Sequence, residues 1–212
     1  MIESVIEGLA NLYGEVSRKE AVDFIRSKIL TDKSLPLDEV LDYLLDNSMQ
    51  LDWMVQAVDD YDDAISSAPP EKVIFSSRYG WNDNEALREA IRQRSPHVLH
   101  RRPFSDEEVM AASRSGLPLV PNKRQASFER FLSKKMGMDE SEITITCYDL
   151  WLRAQHEGDK EYDDDTWEEY FNEIVLHGED DRRKAEATRE LKAYMDSMPR
   201  WTLKGYAPCE VS

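Results

Sequence analysis

Basic side chains in the middle of the chain are the residues best suited to binding chemistry. Segment 78–135 carries 12 Lys and Arg against 7 Asp and Glu, hence a net charge of +5 between two acidic ends. The arginine guanidinium binds phosphate and carboxylate in a bidentate manner, so this segment suits RNA or an acidic protein surface. The candidate binding face comprises Arg88, Arg92, Arg94, His97, His100, Arg101 and Arg102.

The same arginines have a simpler interpretation, which we favour from the sequence. Residues 1–77 hold 16 acids and 6 bases, and residues 136–212 hold 20 acids and 9 bases. These acidic ends can pack against the basic middle and neutralise it, and charged runs on a protein surface usually face solvent alone. Whether the middle binds a partner or pairs with the chain's own acids stays open at this level.

Signatures of catalysis and of metal binding are missing from the sequence. His97 and His100 are three residues apart, but a structural zinc site needs two further ligands beside them. A calcium loop beginning at Asp159 would place Asp164 where the turn needs glycine and Tyr170 where it needs glutamate. No HExxH, GxSxG, GxGxxG or P-loop motif occurs. We therefore predict no catalytic residue, no metal and no cofactor; the remaining enzymatic hypothesis is a hydrolase whose carboxylates come from distant segments.

The overall composition narrows the class of protein and its compartment. Forty-three acids against 27 bases leave a formal charge of -16, which opposes binding of nucleic acid or anionic lipid over the whole surface. Two cysteines are too few for a disulfide framework. No stretch reaches the roughly 18 to 20 apolar residues of a membrane span, and the amino terminus has acids where a secretory signal has Lys or Arg. The sequence predicts a cytoplasmic protein with no membrane segment.

The predicted order of helices and strands over residues 1–79 is that of a winged-helix domain. Helical spacing of apolar residues and β-branched, aromatic runs predict helices over 2–13, 18–29 and 36–46 and antiparallel strands over 51–58 and 72–77. The segment Ser17–Glu20 is a capping box for the second helix. The predicted third helix carries Asp38, Glu39, Asp42 and Asp46. These carboxylates oppose entry into the DNA groove, so we expect the domain to pack on protein.

Residues 80–212 have the pattern of an all-helical domain. The predicted helices begin at Asn82 or Asp83 and at the Ser105–Glu108 capping box, and further helices cover 125–136, 139–156, 167–177 and 179–197. Cys147 lies on an apolar stripe, which predicts a small buried thiol, and Ile174 is predicted to face inward. The tail 199–212 has too many turn-forming residues for a helix, yet Trp201 and Tyr206 favour burial, so we expect it to fold back onto the body.

The two ends of the chain carry a family resemblance. The opening LANLYGEVSRKEAVDFI and the closing MDSMPRWTLKGYAPCEVS, with Trp201, Gly205, Pro208 and Glu210, resemble uncharacterised bacterial helical proteins associated with the SEC-C motif. Chains of that family often open with an LYGxVS helix pair and close with a Trp-x-x-x-Gly-x-x-Pro-x-Glu segment. The SEC-C motif itself binds zinc through clustered Cys and His, and because this sequence lacks that cluster, zinc binding does not carry over. The resemblance implies a mainly helical protein with a non-enzymatic interaction role.

The sequence thus predicts a mainly α (α+β) protein, with a winged-helix-like domain and β-hairpin over 1–79 and an all-helical domain over 80–212. Its predicted function is that of a protein-interaction or regulatory module. The alternative is a nucleic-acid-binding protein that uses segment 78–135. The salt dependence of binding distinguishes these two functions. Affinity for several phosphates falls steeply with added salt, whereas the affinity of a mainly apolar protein interface does not.

Overall fold

The computed structural model describes residues 2–29, 36, 39, 54–57, 73–77, 100–114, 122–156 and 167–211. The described chain is mainly helical and includes a three-stranded sheet. It divides into two compact units, the first formed by Met1–Asp83 with Pro103–Pro118 and the second by Asn84–Arg102 with Leu119–Ser212. The predicted mainly helical class is confirmed.

The first unit combines helices with the sheet. In chain order its elements are α1 (Ile2–Tyr13), β1 (Glu15–Ser17), α2 (Arg18–Phe24), β2 (Met54–Ala57), β3 (Val73–Ser76) and α3 (Asp106–Arg114). The predicted capping box begins α2: the Ser17 hydroxyl accepts from the Glu20 amide at 3.2 Å, and the Glu20 carboxylate accepts from the Ser17 amide at 2.9 Å. A π-helical turn, Ile25–Ile29, follows α2. The predicted third helix lies outside the described residues except for Pro36 and Glu39.

The sheet has the order β1-β3-β2, and both strand pairs are antiparallel. Phe75 on the central strand is fully buried and lies opposite Val16 on one side and Val55 on the other. Strands β2 and β3 fall within the two segments predicted as strands. Strand β1 was not predicted, because three residues are too few to show the alternation of a strand and its pairing partner lies about sixty residues away in the sequence.

Helix α3 packs against α1, which changes the predicted division of the chain. The sequence division at residue 79 assigns α3 to the carboxy-terminal domain, whereas the structure groups it with the first unit. Val109 and Ala112 of α3 are fully buried, and the Asn11 side chain donates to the Ala112 carbonyl at 3.1 Å and accepts from the Ser77 hydroxyl at 2.7 Å. The physical reason is that α1 needs a second apolar helix to cover its buried face.

The second unit is helical in its described residues. Its elements are α4 (Lys123–Phe131), α5 (Glu140–Gln155), α6 (Trp167–Ile174), α7 (Asp181–Asp196) and α8 (Pro208–Val211), with a π-helical turn, Leu132–Met136, after α4. Side chains of Asn122, Asp139 and Asp180 cap three of these helices. The core stacks Phe128 on Tyr194, with ring centroids 4.5 Å apart, and packs Phe128 beside Phe171 at 5.9 Å.

Two predictions for this unit are wrong. The tail forms the short helix α8 although it is rich in turn-forming residues, because Pro208 takes the first helical position, where its missing N–H costs no hydrogen bond. Ile174 does not face inward: its exposed fraction is 61%. It is the last residue of α6, where helical periodicity no longer dictates burial.

No helix among the described ranges is both long enough and apolar enough to pass through a lipid bilayer.

Candidate functional site

The carboxy-terminal tail folds back onto α5, as the sequence predicts. Trp201 is 1% exposed, and its ring meets that of Trp151 edge to face with centroids 5.6 Å apart. Its backbone N–H donates to the Gln155 side chain at 2.9 Å, and the Gln155 amide donates to the Pro199 carbonyl at 3.0 Å. The buried Gln155 therefore ties the end of α5 to the start of the tail.

Arg200 joins two helix ends, a role that the sequence does not single out. Its guanidinium is buried and donates to the Ala154 carbonyl of α5 at 2.9 Å and to the Met195 carbonyl of α7 at 3.2 Å. The last carbonyls of a helix have no partner within the helix, and the helix dipole favours a positive charge there. The buried Arg200 thus stabilises the fold by binding carbonyls at two helix ends. The one feature of the sequence that could have indicated this role is its position between Pro199 and Trp201.

The remaining residues of the closing pattern shape the turn and α8. Gly205 has a φ of 86° after Lys204 at 56°, and its N–H donates to the Arg200 carbonyl at 2.9 Å. Pro208 begins α8, and the Glu210 carboxylate accepts from the Ala207 amide at 2.7 Å. The pattern of Trp, Gly, Pro and Glu thus describes a buried anchor, a left-handed turn, a helix start and a helix cap.

The structure brings part of the candidate binding face to this tail. The Arg102 guanidinium contacts the Glu210 carboxylate at 3.3 Å, and the Arg102 amide donates to the Lys204 carbonyl at 3.0 Å. His100 is exposed, and Arg101 and Arg102 are half-buried. The other members, Arg88, Arg92, Arg94 and His97, lie outside the described residues. At Arg102, then, a predicted binding residue pairs with one of the chain's own acids.

The two thiols lie in opposite environments. Burial raises the pKa of the Cys147 thiol to about 12, and the negative charge of Glu129 acts in the same direction. Burial also raises the pKa of Tyr194, which neighbours Cys147, well above its ordinary value. Cys209 is exposed. The prediction of a small buried thiol is confirmed, and an uncharged thiol of this kind is a poor nucleophile.

We expect one thiol to react in the folded protein and two in denaturant. The exposed Cys209 should react with a thiol reagent at pH 8, whereas Cys147 should react after unfolding. Because the thiol pKa is 9.0 before burial and about 12 in the fold, stability should fall as the pH rises from about 9 toward 12. Thiol titration with and without denaturant measures the number of reactive thiols. Denaturant unfolding between about pH 9 and pH 12 measures the change in stability. Cys209→Ser is the control, and rapid labelling of Cys147 in the folded Cys209→Ser protein would contradict the assignment.

A second surface, missed by the sequence patterns, lies on α5 and α6. Within the described part of the chain, three large apolar side chains are exposed: Ile145 at 58%, Ile174 at 61% and Val211 at 38%. The Tyr170 hydroxyl donates to the Asp149 carboxylate at 2.7 Å and joins the two helices. Ile145 lies one helical turn from Asp149, and Ile174 lies one turn from Tyr170. We call Ile145, Asp149, Tyr170 and Ile174, with the neighbouring Glu142 and Glu173, the α5–α6 surface.

Two contacts of Tyr170 join α5 and α6 at this surface. The Arg153 guanidinium carbon lies 4.7 Å from the centre of the Tyr170 ring, a cation–π contact on the face of the same tyrosine that bonds Asp149. Burial and the Asp149 hydrogen bond raise the pKa of Tyr170, so its hydroxyl keeps its proton and remains a donor. The two exposed isoleucines therefore lie on helices that are joined through Tyr170.

Comparison of the chain with protein-family models, curated proteins and solved structures finds no match. The resemblance to the SEC-C-associated proteins accordingly rests on the two quoted end segments. In the described residues, no group of three or more His, Cys, Asp or Glu side chains is arranged to hold a metal ion.

Proposed function

We propose that this protein is a non-enzymatic, cytoplasmic protein-interaction module that binds its partner through the α5–α6 surface. The observation that carries the proposal is the exposure of Ile145, at 58%, and of Ile174, at 61%, on the two helices that the Asp149–Tyr170 hydrogen bond joins. Isolated exposed apolar residues are ordinary, but two on one pair of contacting helices offer apolar anchors of the kind that interfaces use.

The ion pair of Arg102, one member of the basic face, favours this proposal over nucleic-acid binding. Phosphate recognition needs arginines that are open to the ligand, whereas Arg102 contacts Glu210 and is half-buried. The formal charge of -16 adds long-range repulsion toward any polyanion.

The winged-helix interpretation of the first unit belongs to the same proposal. The order helix, short strand, helix and then two antiparallel strands, with β1 beside β3, supports this interpretation. Its predicted third helix is acidic, which suits a copy of the fold that packs on protein. The SEC-C resemblance, which implies an interaction role, points the same way.

Affinity purification from the protein's own cells tests the proposal. Samples of tagged wild type, Ile145→Glu/Ile174→Glu and the matched control Thr144→Glu/Asn172→Glu are each divided into nuclease-treated and untreated halves. The control adds the same charge at exposed positions of the same two helices. We expect a co-purifying protein that survives nuclease, persists in the control and falls at least about tenfold in the isoleucine variant, because each buried isoleucine contributes about 1.5–3 kcal/mol to an apolar contact.

Circular dichroism and thermal unfolding verify that both variants fold. Retention of the partner by the isoleucine variant would place its binding elsewhere and contradict the proposal. Recovery of nucleic acid that is lost on changing Arg88, Arg92, Arg101 and Arg102 to Glu would instead favour the basic face.

A further inference from the structure

Charge on the α5–α6 surface carries information about what binds there. Helices α5 and α6 contain six acids and one base: Glu140, Glu142, Asp149, Glu168, Glu169 and Glu173 against Arg153. The single base stacks on Tyr170. The two helices that carry the exposed isoleucines therefore have a formal charge of -5, from six acids and one base.

The acids nearest in sequence to the two isoleucines are Glu142 and Glu173. Glu142 lies three residues before Ile145, and Glu173 lies three residues after Tyr170, so each shares a helical face with a member of the surface. Glu142 also accepts from the Asp139 amide at 2.8 Å, which holds its carboxylate in place. A partner that covers the isoleucines must remove water from around these carboxylates, and that costs free energy unless the partner supplies opposite charge.

We propose that the α5–α6 surface binds a cationic protein segment, one that presents apolar side chains flanked by Lys or Arg. The inference rests on the proposed function and adds the chemistry of the partner. A neutral apolar segment would leave the carboxylates without compensation. A second copy of this chain would bring another formal charge of -16 toward the same surface, and nucleic acid or anionic lipid would do likewise. A segment with apolar side chains flanked by Lys or Arg supplies both the apolar contact and the positive charge that the carboxylates require. Long-range attraction between the opposite charges also raises the rate of association.

A defined peptide tests the charge requirement directly. The probe is a fluorescein-labelled amphipathic peptide of 14 residues with Leu on one helical face and Lys on the other, measured by fluorescence anisotropy against the full-length protein. One comparison peptide replaces each Lys with Glu, and another replaces each Leu with Ser. We expect the Leu/Lys peptide to bind at least about tenfold more tightly than either comparison peptide, since each lacks one of the two contributions.

Protein variants separate the contributions. Glu142→Gln/Glu173→Gln keeps a capping acceptor at position 142 and should weaken binding about threefold to tenfold and reduce its salt dependence. The control Glu3→Gln/Glu107→Gln removes the same charge from exposed positions of the first unit and should bind like wild type. Ile145→Ser/Ile174→Ser, which leaves the charge unchanged, should weaken binding at least about tenfold.

The outcomes distinguish the inference from the proposed function. If the Gln variant at 142 and 173 binds like the control while the Ser variant loses binding, the cationic partner is overturned and the apolar interaction site stands. If the Ser variant binds like wild type, the proposed site fails and the inference fails with it. If wild-type protein dimerises in sedimentation experiments and the Ser variant does not, the occupant is a second copy and the inference is overturned.

Discussion

Replacing Trp201 with alanine is expected to destabilise the second unit by about 3–5 kcal/mol, the usual cost of truncating a buried tryptophan. The side chain is 1% exposed and packs edge to face on Trp151, so its removal leaves a cavity in the unit's core. It also anchors the segment in which Arg200 bonds the ends of α5 and α7. We therefore expect the loss to reach beyond the tail itself.

Denaturant unfolding followed by circular dichroism measures this effect. Tyr206→Ala is the matched control, since Tyr206 is an aromatic residue of the same tail that is half-buried. Its substitution should cost clearly less than that of Trp201. A loss at Trp201 below about 1 kcal/mol would contradict the described burial of its side chain.

Replacing Gly8 with alanine is expected to destabilise the first unit by about 1–3 kcal/mol, although the same change in an ordinary helix stabilises by about 1 kcal/mol. A Cβ atom at this position would overlap the Val109 carbonyl oxygen and lie 2.9 Å from the carbonyl carbon. Because that neighbour is backbone, α1 and α3 would have to move apart rather than repack a side chain. The movement would also strain the Asn11 hydrogen bond to Ala112.

Ser4→Ala on the same helix is the control, and we expect its stability to lie within about 0.5 kcal/mol of wild type. Thermal and denaturant unfolding provide the comparison. A Gly8→Ala protein as stable as the control would show that α1 and α3 do not approach closely at this point.

Several features of the site follow from neighbours in the sequence and could be predicted. The Ser17–Glu20 and Ser105–Glu108 capping boxes both form, because a side chain and an amide three residues apart meet as soon as one turn folds. The burial of Cys147 and of Trp201 follows from apolar periodicity and from the size of the tryptophan ring. These features depend on local chain geometry and on hydrophobicity alone.

Local chain geometry and hydrophobicity do not predict the exposure of Ile145 and Ile174. Periodicity placed Ile174 inside, and the structure exposes it at the end of α6. Apolar periodicity indicates which face of a helix is apolar, but it does not indicate how far along that face the neighbouring helices extend. The α5–α6 surface becomes visible once the Tyr170–Asp149 hydrogen bond fixes how two helices meet.

By itself the sequence determined the mainly helical class, the local helix starts, the acidic balance and the folding back of the tail. The tertiary structure decided that α3 packs on α1, that Arg102 pairs with Glu210, and that Ile145 and Ile174 remain open to solvent. The first two join residues about one hundred positions apart, and the third depends on which helices cover which. These contacts and exposures depend on the steric and electrostatic fit between segments that are distant in the sequence. The spacing of residues within one segment does not predict that fit.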